Sequence, residues 1–256
     1  MAIKLAMGLK VVFPAMFCVM LATLIYTLSV DGLPFPGRPD VFTPWFVTTV
    51  VDFYINIAPI AVWIAYKESN WLRSVSWVIL LLLFGSLTTC AYVFLQLVKL
   101  TPQEASQDPM YHLLLRDSDR DKTGRGNKNS PVVTARFVFG ALGCLMLGTL
   151  LYTILTDGSP FRRDLLYPWM VALLVSFYID VVALSVWLVY KESCWITGTL
   201  WLLVSICLGS AGTSVYIVVQ LLRLSSQDQL YLVLLSNRNR AGSGYERTTN
   251  IDTLIT

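Results

Sequence analysis

Six stretches of the chain, 11–30, 45–66, 75–98, 137–155, 169–190 and 199–222, contain no lysine, arginine or glutamate. Each is 19 to 24 residues long, and a bilayer core ~30 Å thick needs about 20 apolar residues per helix. Together they take up 131 of the 256 residues. Charged residues make up only 14% of the chain, against about 25% in an ordinary soluble domain. A soluble globular enzyme, a disordered chain and a coiled coil are excluded. So is a nucleic-acid binder, because the formal net charge is only +3 and is spread along the chain. The expected fold class is all-α: a polytopic membrane protein with six transmembrane helices, its first partner the lipid bilayer.

The chain also repeats itself. Residues 9–120 recur at 135–240. At an offset of 126, Asp31-Gly32-Leu33-Pro34-Phe35 falls on Asp157-Gly158-Ser159-Pro160-Phe161. At an offset of 124, Phe53-Tyr54-Ile55-Asn56 falls on Phe177-Tyr178-Ile179-Asp180, and Tyr66-Lys67-Glu68-Ser69 on Tyr190-Lys191-Glu192-Ser193. All eight tryptophans form four matched pairs, 45/169, 63/187, 71/195 and 77/201. The organisation expected is repeat one over 1–120, a polar linker over 121–134, repeat two over 135–240 and a flexible tail over 241–256. A signal peptide at the start is unnecessary, since the first apolar run has its own copy in mid-chain.

Three spans per repeat is an odd number, so repeat two is expected to enter from the opposite side. The result would be an inverted pair related by an axis in the membrane plane, as in many secondary transporters. On that topology ten Lys and Arg fall on the N-terminal side and nine on the other. Only residues flanking a span count strongly, which favours cytoplasmic termini.

Several residue types read as packing or anchoring. The tryptophans at the ends of the runs suit headgroup depth. The five cysteines have no C-x-x-C spacing and read as buried structural thiols. The stripes Gly140-Cys144-Gly148 and Ser205-Gly209-Thr213 read as seams for close helix approach. Segments Gln103–Leu115 and Ser225–Leu235, each with a Tyr-x-x-Leu, read as short interfacial helices. With His112 as the only histidine, no metal cluster can be assembled, and neither a cofactor nor a catalytic constellation is expected.

Chemistry is expected at two places. Asp52 and Asp180 are the carboxylates well inside the apolar runs, and an ionised aspartate at a helix centre costs ~2.5–3.5 kcal/mol on insertion scales. The repeat pairs Asp52 with Ser176 and Asn56 with Asp180. Each copy therefore keeps one carboxylate and one neutral polar group at i, i+4 on one helix face, in exchanged order. No Lys or Arg lies at that depth, so each carboxyl must hold a proton or bind a cation, or act as a hydrogen-bonded glue between helices. Pro59 removes a backbone donor and frees the carbonyl of Ile55, so a kink is expected in repeat one alone, where repeat two has Ala183. Asp52, Asn56, Ser176 and Asp180 are the candidate site for a proton, a cation or a small solute.

The doubled motifs Asp-Gly-x-Pro-Phe, Pro-Trp, Phe-Tyr-Ile-Asn/Asp, Trp-x-x-Tyr-Lys-Glu-Ser and Ser-Gln-Asp-x-x-Tyr resemble a family of uncharacterised plant multi-pass membrane proteins known by a domain-of-unknown-function label. The resemblance covers nearly the whole chain. It implies a multi-pass protein and no catalytic residue. Three functions remain open: proton- or cation-linked transport of a small solute, a non-catalytic membrane scaffold or assembly factor, and a membrane enzyme using Asp52 and Asp180 on a lipid or isoprenoid.

Overall fold

The computed structural model describes residues 2–33, 41–116, 132–192, 194–225 and 229–235. The linker 121–131 and the tail 241–256 lie outside the described residues. Repeat one contains α1 (Ala2–Asp31), α2 (Pro44–Lys67), α3 (Trp71–Phe84), α4 (Ser86–Lys99), α5 (Pro102–Gln107) and α6 (Pro109–Leu114). Repeat two contains α7 (Val132–Asp157), α8 (Pro168–Lys191), α9 (Trp195–Leu208) and α10 (Ser210–Leu222), with 3-10 turns at Arg163–Leu165 and Leu230–Val233. Among the described residues there is no strand. Among the described residues, four helices, α1, α2, α7 and α8, are long and apolar enough to cross a bilayer.

Local signals explain the boundaries. Thr43 caps α2 by accepting from the Phe46 N–H, and Pro44 fills the first turn where no donor is needed. Thr101 and Glu104 form a reciprocal capping box on α5, and Asp108 caps α6 through the Tyr111 N–H. Pro59 lies inside α2 without ending it, and α2 and α8 are both 24 residues long.

The third and sixth apolar runs are not single helices. Each breaks at a glycine with positive φ, Gly85 at +52° and Gly209 at +58°, a conformation natural only to glycine. The chain then turns back on itself. Thr88 Oγ1 donates to Leu80 O at 2.9 Å, although eight residues of straight helix would separate them by about 12 Å. Trp77 and Tyr92 are in ring contact at 5.2 Å, as are their copies Trp201 and Tyr216 at 5.1 Å. The arms approach so closely that a Cβ on Gly212 would lie 2.7 Å from Val204 O. Runs three and six are therefore helical hairpins, α3–α4 and α9–α10, that enter and leave the bundle at the same end.

Two full-length helices plus a hairpin is an even number of crossings, and this overturns the inverted arrangement. The starts of α2 and α8 lie side by side: Tyr167 Oη donates to Val41 O at 2.6 Å, and Trp169 Nε1 to Gly32 O at 3.1 Å. At the other end, Arg136 at the start of α7 donates to Leu221 O and Leu224 O at the end of α10. An inverted pair would hold the members of each contact a bilayer thickness apart. The repeats instead run in the same direction about an axis parallel to the long helices. Six spans become four long helices and two hairpins. The end of the bundle holding the start of α1 also holds the ends of α2, α4, α8 and α10; below it is called the near end.

Packing follows that symmetry. Hairpin arm α4 lies against α1 and α8, and α10 against α7 and α2, so each hairpin contacts the second long helix of the other repeat. The returning arms α4 and α10 are mostly buried, whereas α3 buries Leu81 and α9 only Gly198 and Ser205. Other expectations change with this. Gly140 and Gly148 would meet nothing with an added Cβ and Cys144 is exposed, so that stripe faces outward; Gly143 packs instead, 3.2 Å from Ser214 Cβ. Of the cysteines only Cys90 is buried. Trp71 and Trp195 are exposed as interface anchors would be, but Trp45 and Trp187 are core residues.

Candidate functional site

Polar groups inside the bundle fall into layers, each present twice through the repeat. The deepest lies at the hairpin tips. Asp52 on α2 accepts the Ser210 N–H at 2.7 Å, across the repeat boundary, on the first residue of α10. Its copy Ser176 on α8 does the same for α4, accepting the Ser86 N–H at 3.4 Å and bonding the Ser86 hydroxyl at 2.8 Å. Each tip is a helix N-terminus with unsatisfied donors and partial positive charge. The second long helix of the opposite repeat supplies the missing acceptor. A Cβ on Gly209 would strike the Asp52 carboxylate, and one on Gly85 the Phe53 ring. Glycine is thus required at both tips for approach as well as for φ.

One helical turn nearer the near end, about 6 Å along the axis, lies the second layer. Asn56 Oδ1 accepts from Thr213 Oγ1 at 3.4 Å. The corresponding pair is Asp180 and Thr89. Asp180 is fully buried. The Thr89 hydroxyl on α4 faces its carboxyl but falls short of hydrogen-bonding geometry, leaving both Asp180 oxygens and Thr89 Oγ1 without a partner among the described residues. The Asn56 amide nitrogen is also unpartnered.

At the near end the ionic groups are engaged. Glu68 Oε1 accepts from Tyr92 Oη and Gln96 Nε2, and Glu192 Oε1 from Tyr216 Oη and Gln220 Nε2 at 2.9 and 2.7 Å. Lys67 Nζ donates to the carbonyls of His112 and Leu115, and Lys191 Nζ to those of Val233 and Leu235. These lysines pin the segments that follow each hairpin against the bundle. Chains expected to lie as interfacial helices are therefore tucked beneath it, burying Leu113, Leu114, Val233 and Leu235.

The doubled signature motifs supply Asn56 and Asp180 in the second layer and Lys67, Glu68, Lys191 and Glu192 at the near end, while the tip residues lie outside them. A family model described as a protein of unknown function, DUF1475, matches residues 1–241. The chain belongs to the DUF1475 family. No curated protein and no solved structure matches it.

Between the near-end segments and the second layer, the DUF1475 chain lines a partly open cavity of about 400 Å³. Its wall is apolar and aromatic, with Phe13, Trp63, Tyr66, Phe139, Trp187 and Tyr231 contributed by both repeats. Pro59 and its copy Ala183 line it as well, as does Thr89. Asp180 lies one turn beyond Ala183 and Leu184, behind Thr89. Trp63 Nε1 donates to Leu114 O at 3.2 Å, whereas the indole N–H of Trp187 has no partner among the described residues.

The four candidate residues therefore separate. Asp52 and Ser176 work at the hairpin tips. Asn56 and Asp180 sit in the layer below, and only Asp180 is left unengaged. What residue reasoning missed was the cavity, because it is built from tertiary contact between unremarkable apolar side chains. It also missed Thr89, and it read Thr213 only as part of a packing seam rather than as the partner of Asn56. Their signal was there: Gly-Ser at matched positions in two apolar runs, followed by hydroxyl residues at matched spacing.

Proposed function

We propose that this DUF1475 protein is a multi-pass membrane carrier that moves a small solute in a cycle linked to a proton or cation at Asp180. One observation carries the reading: a carboxyl side chain that is fully buried with neither oxygen bonded. Leaving a carboxylate so is expensive in an apolar surround, and every other buried ionic group described here has a structural partner. A group kept unengaged at such a depth suits one that takes up and releases an ion. The pairing of Asp52 with Asp180 that an acid-pair enzyme needs is not supported, since Asp52 is held by the hairpin tip.

Charge placement supports an orientation. Of nineteen Lys and Arg, three, Arg38, Arg162 and Arg163, belong to the segments joining the first long helix of a repeat to the second. The other sixteen belong to segments at or beyond the near end. Such a bias supports a cytoplasmic near end, with the N-terminus on that side.

The test is transport in proteoliposomes with and without a pH gradient, screened over solute classes, for the wild type and Asp180→Asn. Gradient-driven flux is expected in the wild type and its coupling to pH is expected to vanish in the folded variant. Undiminished gradient-driven flux in Asp180→Asn would refute the role of Asp180. No flux of any solute, with no difference between the two proteins, would leave a scaffold.

A further inference from the structure

We infer that the cavity is a binding site for a monovalent lipophilic organic cation, which exchanges with the proton of Asp180. This rests on the carrier reading above and names its substrate class. The argument begins with the wall. A cavity of about 400 Å³ lined almost wholly by aliphatic and aromatic side chains desolvates an apolar body at little cost, and offers aromatic faces to a positive charge. No described Lys or Arg side chain lines it. A soft cation is the charged species such a wall accepts best.

The polar end of the site is Asp180, set behind Thr89. The hydroxyl of Thr89 is buried and faces the Asp180 carboxyl without a fully formed hydrogen bond, so turning it gives up little. Threonine in a helix divides between two χ1 rotamers, and one turn of that side chain changes what separates the cavity from the carboxyl. The groups facing Asp180 leave it no internal counter-ion. On α4 these are Thr89 and the thiol of Cys90. α9 has no charged residue, and α1 has none between Lys10 and Asp31. The acidic residue of α2 is engaged at the tip. Asp180 is electrically balanced by a proton or by a bound cation, and the two compete for one carboxyl. Loading one cation releases one proton from the carboxyl oxygen to water, and unloading takes one back. The exchange is electroneutral.

Matching this are two probes of equal shape and opposite charge, tetraphenylphosphonium and tetraphenylborate, tested for binding to the full-length protein in detergent. Tetraphenylphosphonium is expected to bind and tetraphenylborate at least tenfold more weakly. Affinity for the cation should rise with pH, because fewer protons compete, by up to about tenfold per pH unit while one proton is displaced. Binding in weakly buffered solution should release about one proton per cation. Asp180→Asn should abolish both the pH dependence and the proton release, and Thr89→Val, which keeps the shape and removes the hydroxyl, should weaken binding severalfold. Equal binding of the anion, or cation binding without proton release, would overturn the inference by reducing the cavity to an apolar void. No cation binding combined with gradient-driven flux of another solute that needs Asp180 would sink this substrate class and leave the carrier reading standing.

Discussion

At the hairpin tips, repeat one and repeat two meet one structural demand with different side chains. The start of α10 is satisfied by the carboxylate of Asp52, and the start of α4 by the hydroxyl of Ser176. One layer below, the exchange is reversed: Asn56 holds a hydrogen bond from Thr213, while Asp180 holds none. The duplication thus acts as an internal control. Where a hydroxyl does the same work in the copy, the negative charge of Asp52 is not essential to the architecture. Where the copy carries a bonded amide, the acid at Asp180 has no architectural need to be an acid. Sequence position alone made the two aspartates look equivalent, and the repeat separates them once their contacts are known.

The largest effects are expected where both repeats share a demand that no other residue can meet. Replacing Gly209 or Gly85 by alanine forces an L residue into positive φ, about 1–3 kcal/mol of strain by itself. It also drives a methyl group into Asp52 or into Phe53. Gly209→Ala is expected to do more harm, since the methyl group would displace the carboxylate that caps α10. Gly85→Ala strikes the edge of a ring, which can swing aside. Thermal unfolding in detergent should show both variants destabilised, with Gly209→Ala the worse. Wild-type stability in either would break the hairpin description.

Much of this fold could be read from the residues, and the failures have a common cause. Apolar run length, the repeat, its boundaries and the matched polar positions all follow from composition and self-similarity. Run length, however, measures how many apolar residues are available, not how often the chain turns. The segment from Trp71 to Lys99 is long enough for one tilted span or for two arms of 14 residues, and hydropathy is the same for both. Two signals distinguished them. Gly85-Ser86 and Gly209-Ser210 occupy matched centres of two otherwise apolar runs. The near-even split of Lys and Arg required by the six-span topology becomes sixteen to three once the runs fold back. Parity then propagated a single misread turn into the wrong symmetry for the whole molecule. The site fared differently. Asp180 was identifiable from depth and charge, and Asn56 from the repeat that pairs it with Asp180, but the isolation of Asp180 depends on where Thr89 points, which only tertiary packing decides.

An intermediate effect is expected from exchanging the tip residues. Asp52→Ala removes the acceptor for the Ser210 N–H and should cost about 1–2 kcal/mol, the scale of a lost helix cap. Asp52→Ser copies what repeat two already provides and should recover much of that loss. Ser176→Asp places a carboxylate at the start of α4 and should be tolerated, provided Phe53 and Gly85 leave room for it. Measuring unfolding for the three variants sharpens the contrast between repeats. If Asp52→Ser were as damaging as Asp52→Ala, charge at that tip would matter in its own right, and the assignment of function to Asp180 alone would weaken.

The smallest effect concerns the matched positions Asn70 and Cys194, which begin α3 and α9. Asn70 caps its helix by accepting the Leu72 N–H at 3.0 Å. Cys194 makes no side-chain cap bond, yet the N–H groups of Thr197 and Ile196 hold its thiol below the ordinary thiol range. Their donors favour the thiolate, which is the reactive form. As pH rises, alkylation of Cys194 should therefore set in earlier than for an unperturbed thiol. Cys18, Cys144 and Cys207 are exposed on helix faces suited to lipid, where a water-soluble maleimide does not reach them. In sealed vesicles of known sidedness, such a reagent should label Cys194 from the side that holds the N-terminus, and Cys194→Asn should abolish the signal. The six-span inverted topology places residue 194 on the opposite side. Labelling from there would return the hairpins to straight spans and reverse the relation between the two repeats.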